Sequence, residues 1–218
     1  MEGFSVDQLL AYLLFFGLLP FFVIGLTTFI KFSVVLGLLR NALGVQQIPS
    51  NIILYSMAVV LSFYVMLPVG MQSAKIIDAT QAAHKPLLGA TNQIVEPFLE
   101  FTRAHAPAKE LAFYEDTAKK LWGEKLAHDL VGKNATNVSK LILVVPAFMT
   151  SELTKAFEIG FLLYLPFIVI DLVIANILLA LGMSTLSPTT VSLPVKLLLF
   201  IGLSGWTRLF ETLALSYT

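Results

Sequence analysis

The chain holds no cysteine and little charge, and each shortage excludes whole classes of function. Without a thiol there is no thiolate nucleophile, no iron–sulfur ligation and no disulfide framework. Charged residues make up only 13% of the 218, about half the share of an ordinary soluble domain. Basic and acidic residues cancel to a net charge of +0, which gives no electrostatic footing for nucleic acid. A P-loop, Gly-x-Gly-x-x-Gly, His-Glu-x-x-His and Gly-x-Ser-x-Gly are all missing, so no catalytic constellation is written here. Histidine is confined to His84, His105 and His128, outside every apolar segment and without metal-ligand spacing. An enzyme, a resident metal and a cofactor are therefore not expected.

What is present is apolar. Hydrophobic residues reach 57%, too many for a standard globule and the reverse of a disordered chain. Of the 28 charged side chains, 17 lie within residues 72–140, so the remainder is more apolar still. An integral membrane protein follows. A spanning helix needs about 20 apolar residues, and residues 9–30 supply an uncharged run after Glu2 and Asp7. Acids in front of the run favour a retained segment over a cleaved signal peptide. The apolar pattern continues past Lys31 to Arg40, and Gly44 offers a C-cap before Pro49. Ser50 or Asn51 can cap a second uncharged helix over 52–71. Residues 1–71 thus read as a hydrophobic helical hairpin.

Residues 72–140 form a polar insert in which Leu99, Phe101, Leu111, Tyr114, Leu121 and Leu130 recur at roughly helical spacing. Pro86, Pro97 and Pro107 divide it into a few short helices outside the bilayer. Residues 141–218 hold the other two apolar elements. The stretch 141–150 is only half a span, and Glu152, Lys155 and Glu158 follow at i, i+3 and i+6. That pattern predicts a broken or re-entrant element leading into a full helix over 159–181, tolerated at membrane depth only inside protein. A turn over 182–188 precedes a last helix from Ser192 and Pro194 to about Leu215. The expected class is all-α, with about four hydrophobic elements and the helical insert between the second and third. Lys31 and Arg40 flank the first hairpin turn, which assigns that turn to the cytoplasm and the insert to the periplasm.

Asp171 lies midway along the uncharged run 159–195, with Lys196, Lys31 and Arg40 as candidate partners. A charge at the centre of a membrane helix costs about 2.5–3.5 kcal/mol on insertion scales, so it faces a partner or a wet cavity. Two readings stand. Asp171 is a proton or ion site of a small ion or solute transporter built on the broken third element, or half of a buried pair that fixes helix or subunit docking. Acidic and basic residues both occur in the apolar segments, which favours the second.

Residues 32–49, FSVVLGLLRNALGVQQIP, resemble the first signature of the FliP/SctR family of export-apparatus proteins in bacterial type III secretion. The second signature is longer: Pro146-Ala147-Phe148, the run 151–161, the run 164–173, then residues 193–200 and Gly205-Trp206. The compact length and the closing Leu215-Ser216-Tyr217 are more similar to the injectisome branch, the virulence machines, than to the flagellar one. The resemblance implies a homo-pentamer at the bacterial inner membrane. This would join other small hydrophobic export subunits in a cone-shaped core that forms the entrance pore of the export gate. Unfolded secreted proteins would be its transported substrates, and the core would be raised toward the periplasm, its helices forming bent hairpins against neighbouring subunits. By the same resemblance Lys31, Arg40, Glu152, Lys155, Glu158, Asp171 and Lys196 would make inter-helix and inter-subunit pairs. The family's methionine-rich turn between the last two helices forms a pore gasket. Here that turn reads Met183-Ser184-Thr185-Leu186, so only Met183 keeps the type, and Met183 with Leu186 would carry the apolar seal. The plain alternative is a helix connection.

Overall fold

The computed structural model describes residues 17, 24–45, 48–84, 87–132, 135–183 and 185–218. Their secondary structure is helical, with no strand among them. The elements are α1 (Phe29–Leu43), α2 (Asn51–Ala82), α3 (Leu87–His105), α4 (Ala108–Trp122), α5 (Glu124–Val131), α6 (Asn137–Ala180), α7 (Pro188–Gly202) and α8 (Gly205–Leu215). Two of these, α2 and α6, are long and apolar enough to cross a membrane, and the bent pair α7–α8 makes a third if taken as one span. The chain is an all-α membrane protein. Most of the first expected span, 9–30, lies outside the described residues.

α1 ends at Leu43 and α2 begins at Asn51, on either side of Gly44 and Pro49. The Gly44 amide bonds the Asn41 carbonyl at 3.0 Å, and the Ser50 carbonyl accepts the first amides of α2, from Ile53 at 3.0 Å and Leu54 at 3.2 Å. Two expectations need correction. The break foreseen at 151–158 does not occur, since α6 runs through it as one helix of 44 residues. Glu152, Leu153, Lys155 and Ala156 are good helix formers. The charges among them are satisfied sideways by other side chains (see below), so the backbone does not need to unwind.

The break lies instead in the last element, read from sequence as one helix. Ser204 takes a left-handed conformation (φ 53°, ψ 42°), and the axis bends by 61° between α7 and α8. Gly205 is required there, because a Cβ at that position would collide with the ring of Phe200. That ring stands edge-on to Trp206, with centroids 5.2 Å apart and planes at 87°.

By contacts the chain divides into two compact units, to both of which α2 and α6 contribute. The first (1–29 and 66–151) contains the insert helices. Leu99, Leu141 and Val144 form one cluster in its core, Ala106, Ala147 and Phe148 a second, and Ala118, Ala127 and Leu143 a third. Its polar ties include Tyr114 to Thr150 at 2.8 Å and the Ser151 hydroxyl donating to the His105 carbonyl at 3.3 Å. The second unit (30–65 and 152–218) is built around α1, whose Phe32, Val35, Leu36 and Leu39 are wholly buried. Its exterior is the reverse of a soluble domain. Phe63, Tyr64, Phe161, Leu162, Leu198 and Ile201 are all more than 60% exposed, large apolar side chains of the kind that face lipid or another protein.

Candidate functional site

The polar interior of the second unit contains two charge clusters. In the first, Lys31 of α1 meets Glu152 of α6 at 3.1 Å, both side chains fully inaccessible. Lys155, one turn along α6, reaches the other carboxylate oxygen at 3.4 Å. The Tyr217 hydroxyl donates to the same oxygen that Lys31 approaches. Lys31 also donates to the Ser216 hydroxyl at 3.0 Å and stands 3.7 Å from the centre of the Tyr217 ring, close enough for a cation–π contact. Phe32 packs edge-on against that ring at 6.0 Å. Burial, and next the Glu152 carboxylate, hold the Tyr217 phenol well above its ordinary pKa, so it remains a donor. Glu152 thus accepts from three groups. A buried carboxylate needs that much compensation, since an uncompensated one would take up a proton or destabilise the fold.

The second cluster joins Asp171 of α6 to Lys196 of α7 at 2.6 Å. The Ser192 hydroxyl, one turn earlier on α7, donates to the other Asp171 oxygen at 2.5 Å. Lys196 donates further to the Ala42 carbonyl at the end of α1, at 3.1 Å. That carbonyl is one of the last in its helix and has no intrahelical partner of its own, so a cation there complements the helix terminus as well. One ammonium group therefore ties three helices together.

The remaining site residues are placed differently. Arg40 is half-buried and braces the turn, donating to the Pro49 carbonyl at 3.3 Å and to Asn51 Oδ1 at 2.6 Å, with no carboxylate partner among the described residues. Glu158 lies exposed on α6. In the turn after α6, Gly182 takes φ 72°, the Met183 amide bonds the Leu178 carbonyl at 2.9 Å, and the Gly182 amide bonds Leu179 at 3.0 Å. This is a Schellman cap, and the left-handed residue it requires is the reason for glycine at that position. The cap leaves Met183 and Leu186 at the tip, each 43% exposed, beside an exposed Thr185. Ser184 lies outside the described residues.

Three contributors were not named as site residues from sequence. Ser216 and Tyr217 sit 185 and 65 positions from the partners they bind. No spacing rule covers such distances; an amphipathic aromatic closing an apolar helix was the available cue. Ser192 sits one turn from Lys196, the spacing of neighbours on a helix, and could have been read with it.

The chain as a whole has clear sequence relatives. Residues 12–213 match the FliP family. The chain is 49% identical to the Yop proteins translocation protein R of Yersinia pestis, over 92% of this chain and 91% of that one. It is 44% identical to the hypersensitivity response secretion protein HrcR of Ralstonia nicotianae over the full length of both. It is 38% identical to the virulence protein YscR of Salmonella typhimurium, over 97% and 96%. The chain belongs to the FliP family, on the injectisome branch of these type III secretion proteins.

Proposed function

We propose that the protein is the pentameric core subunit of a type III secretion export gate. It forms the entrance pore for unfolded protein substrates at the bacterial inner membrane together with other small hydrophobic export subunits. The observation that carries this reading is the inverted second unit, with saturated charge clusters inside and large apolar side chains outside, in a chain of this family. A monomer has no use for Phe161 and Leu198 facing outward unless lipid or sister subunits cover them.

The length of α6 supports a core raised out of the membrane plane. At about 1.5 Å per residue it is roughly 66 Å long, twice the about 30 Å of hydrocarbon. Fitting it within the bilayer would need a tilt beyond the range of about 0–40° seen for spanning helices. The first hairpin turn faces the cytoplasm and the insert the periplasm in this reading. The turn tip at Met183 and Leu186, repeated around the ring, closes the pore, because an unbranched thioether side chain repacks around varied shapes.

Native mass measurement of the detergent-extracted protein tests the assembly: a five-copy ring that captures other small hydrophobic subunits is expected. A lone molecule with solute-stimulated uptake through Asp171 overturns the reading. A deletion strain is expected to lose secretion. Met183→Ala is expected to raise ion leak across the membrane without loss of the ring. An unchanged leak and unchanged secretion remove the gasket role and leave the turn as a helix connection.

A further inference from the structure

Four charges in the second unit have no ion-pair partner among the described residues: Arg40, which braces the turn after α1, Glu158 on α6, and Arg208 and Glu211 on α8. Of these, Glu158 and Arg208 are exposed and stand among apolar groups, with Glu211 one turn beyond Arg208. Glu158 shares its side of α6 with Phe161 and Leu165, which are 63% and 42% exposed. Arg208 lines a groove of about 260 Å³ with Ile159, Leu163, Phe167, Leu199 and Leu209. At 3.6 residues per turn, Glu158, Phe161 and Leu165 fall on one side of α6, while Ile159, Leu163 and Phe167 fall on another, roughly opposite. The chain therefore presents a ridge with one anion and, turned away from it, an apolar groove with one cation.

We propose that the groove takes the α6 ridge of a second copy of this chain, with that copy's Glu158 meeting Arg208. The inference deepens the ring proposed above and rests on it. Charge complementarity selects the occupant: an acyl chain would fill the apolar groove but leave both ions facing hydrocarbon, where an unpaired charge is strongly disfavoured. Because ridge and groove are different surfaces, the contact is heterologous. Such contacts repeat head to tail and close into rings, whereas a two-fold dimer would use one surface twice. Phe161 would supply the large apolar anchor such an interface needs at its centre.

The absence of cysteine from the chain makes the test direct. Glu158→Cys and Arg208→Cys are introduced together, which removes both ions at once and leaves neither unpaired. Oxidation in membranes of secreting cells is expected to give a ladder of linked copies. The distance limit on a disulfide, about 7 Å between Cα atoms, makes that link specific. In parallel, Glu158→Arg alone and Arg208→Glu alone are each expected to lower multimer yield on the order of tenfold or more, as breaking a desolvated pair does. The double swap is expected to restore it. If native mass measurement shows a multimer, yet no ladder forms and the single reversals are harmless, the groove holds lipid or another subunit, and this inference alone falls. A chain that is monomeric in that measurement removes the inference and the ring together.

Discussion

The two units handle charge in opposite ways. In the first, α4 keeps Glu115, Asp116, Lys119 and Lys120 exposed and turns Ala118 inward. Its ion pair Lys120–Asp116 is 2.5 Å long, with side chains 74% and 63% exposed. In the second, Lys31 and Glu152 pair at 3.1 Å with no exposure, and the surface is Phe, Leu and Ile. Both pairs are in direct contact; what sets them apart is their surroundings. Where water touches the protein, an ion pair is one of many equivalent arrangements. Where it does not, every lone pair has to be answered from within, and the ions determine which helices can sit together. The contrast separates a unit whose charges lie at its surface from one whose main charge clusters are answered within.

The sharpest way to break the contrast is to remove one ion of the buried pair. Glu152→Ala strands Lys31 in the interior with only the Ser216 hydroxyl and the Tyr217 ring. The expected cost is about 3–5 kcal/mol, enough to consume much of a marginal fold's stability. It should be read as loss of protease-resistant protein in isolated membranes. Replacing both ions by apolar residues, Lys31→Met with Glu152→Leu, should recover most of that loss, because a well-packed apolar pair is neutral or better. A Glu152→Ala protein as stable as the wild type would show that water reaches this site.

A smaller effect is expected at Asp171. Lys196 is buried, but an Asn oxygen would still accept from it and the Ala42 carbonyl still holds it, so it is not stranded as Lys31 would be. Asp171→Asn should cost about 1–3 kcal/mol and appear as weaker assembly in native mass measurement, with the choice of exported proteins unaltered. An intact ring that no longer exports would instead make Asp171 a proton site.

Sequence disclosed chemistry more readily than connectivity here. The low charge, the uncharged runs and the insert's helical spacing sufficed for an all-α membrane chain. Lys31, Glu152, Asp171 and Lys196 stood out because ions in apolar runs are rare. The location of the break was misread for a physical reason. Polarity at 151–158 resembles a loop when partners are unknown, whereas Gly205 resembles an ordinary small residue in a membrane helix until Phe200 is seen to claim the missing Cβ. Partners were the illegible part: Tyr217 finds Glu152 through folding alone, and no local pattern in either segment points to the other.

The smallest expected effect lies on the water-facing side of the comparison, and it is informative for being small. Asp116 and Lys120 are spaced i, i+4 with the acid first, the favourable order on a helix. Even so, a solvated pair of this kind contributes only about 0.2–1 kcal/mol, and salt screens it over a Debye length of about 10 Å at 0.1 M. A double-mutant cycle of Asp116→Ala and Lys120→Ala should therefore give a coupling near zero that vanishes at high salt. The same cycle on Lys31 and Glu152 should give a large coupling that salt hardly changes. Equal salt dependence at the two pairs would mean that both are in contact with water, and the division of this chain into a wetted and an inverted unit would fail.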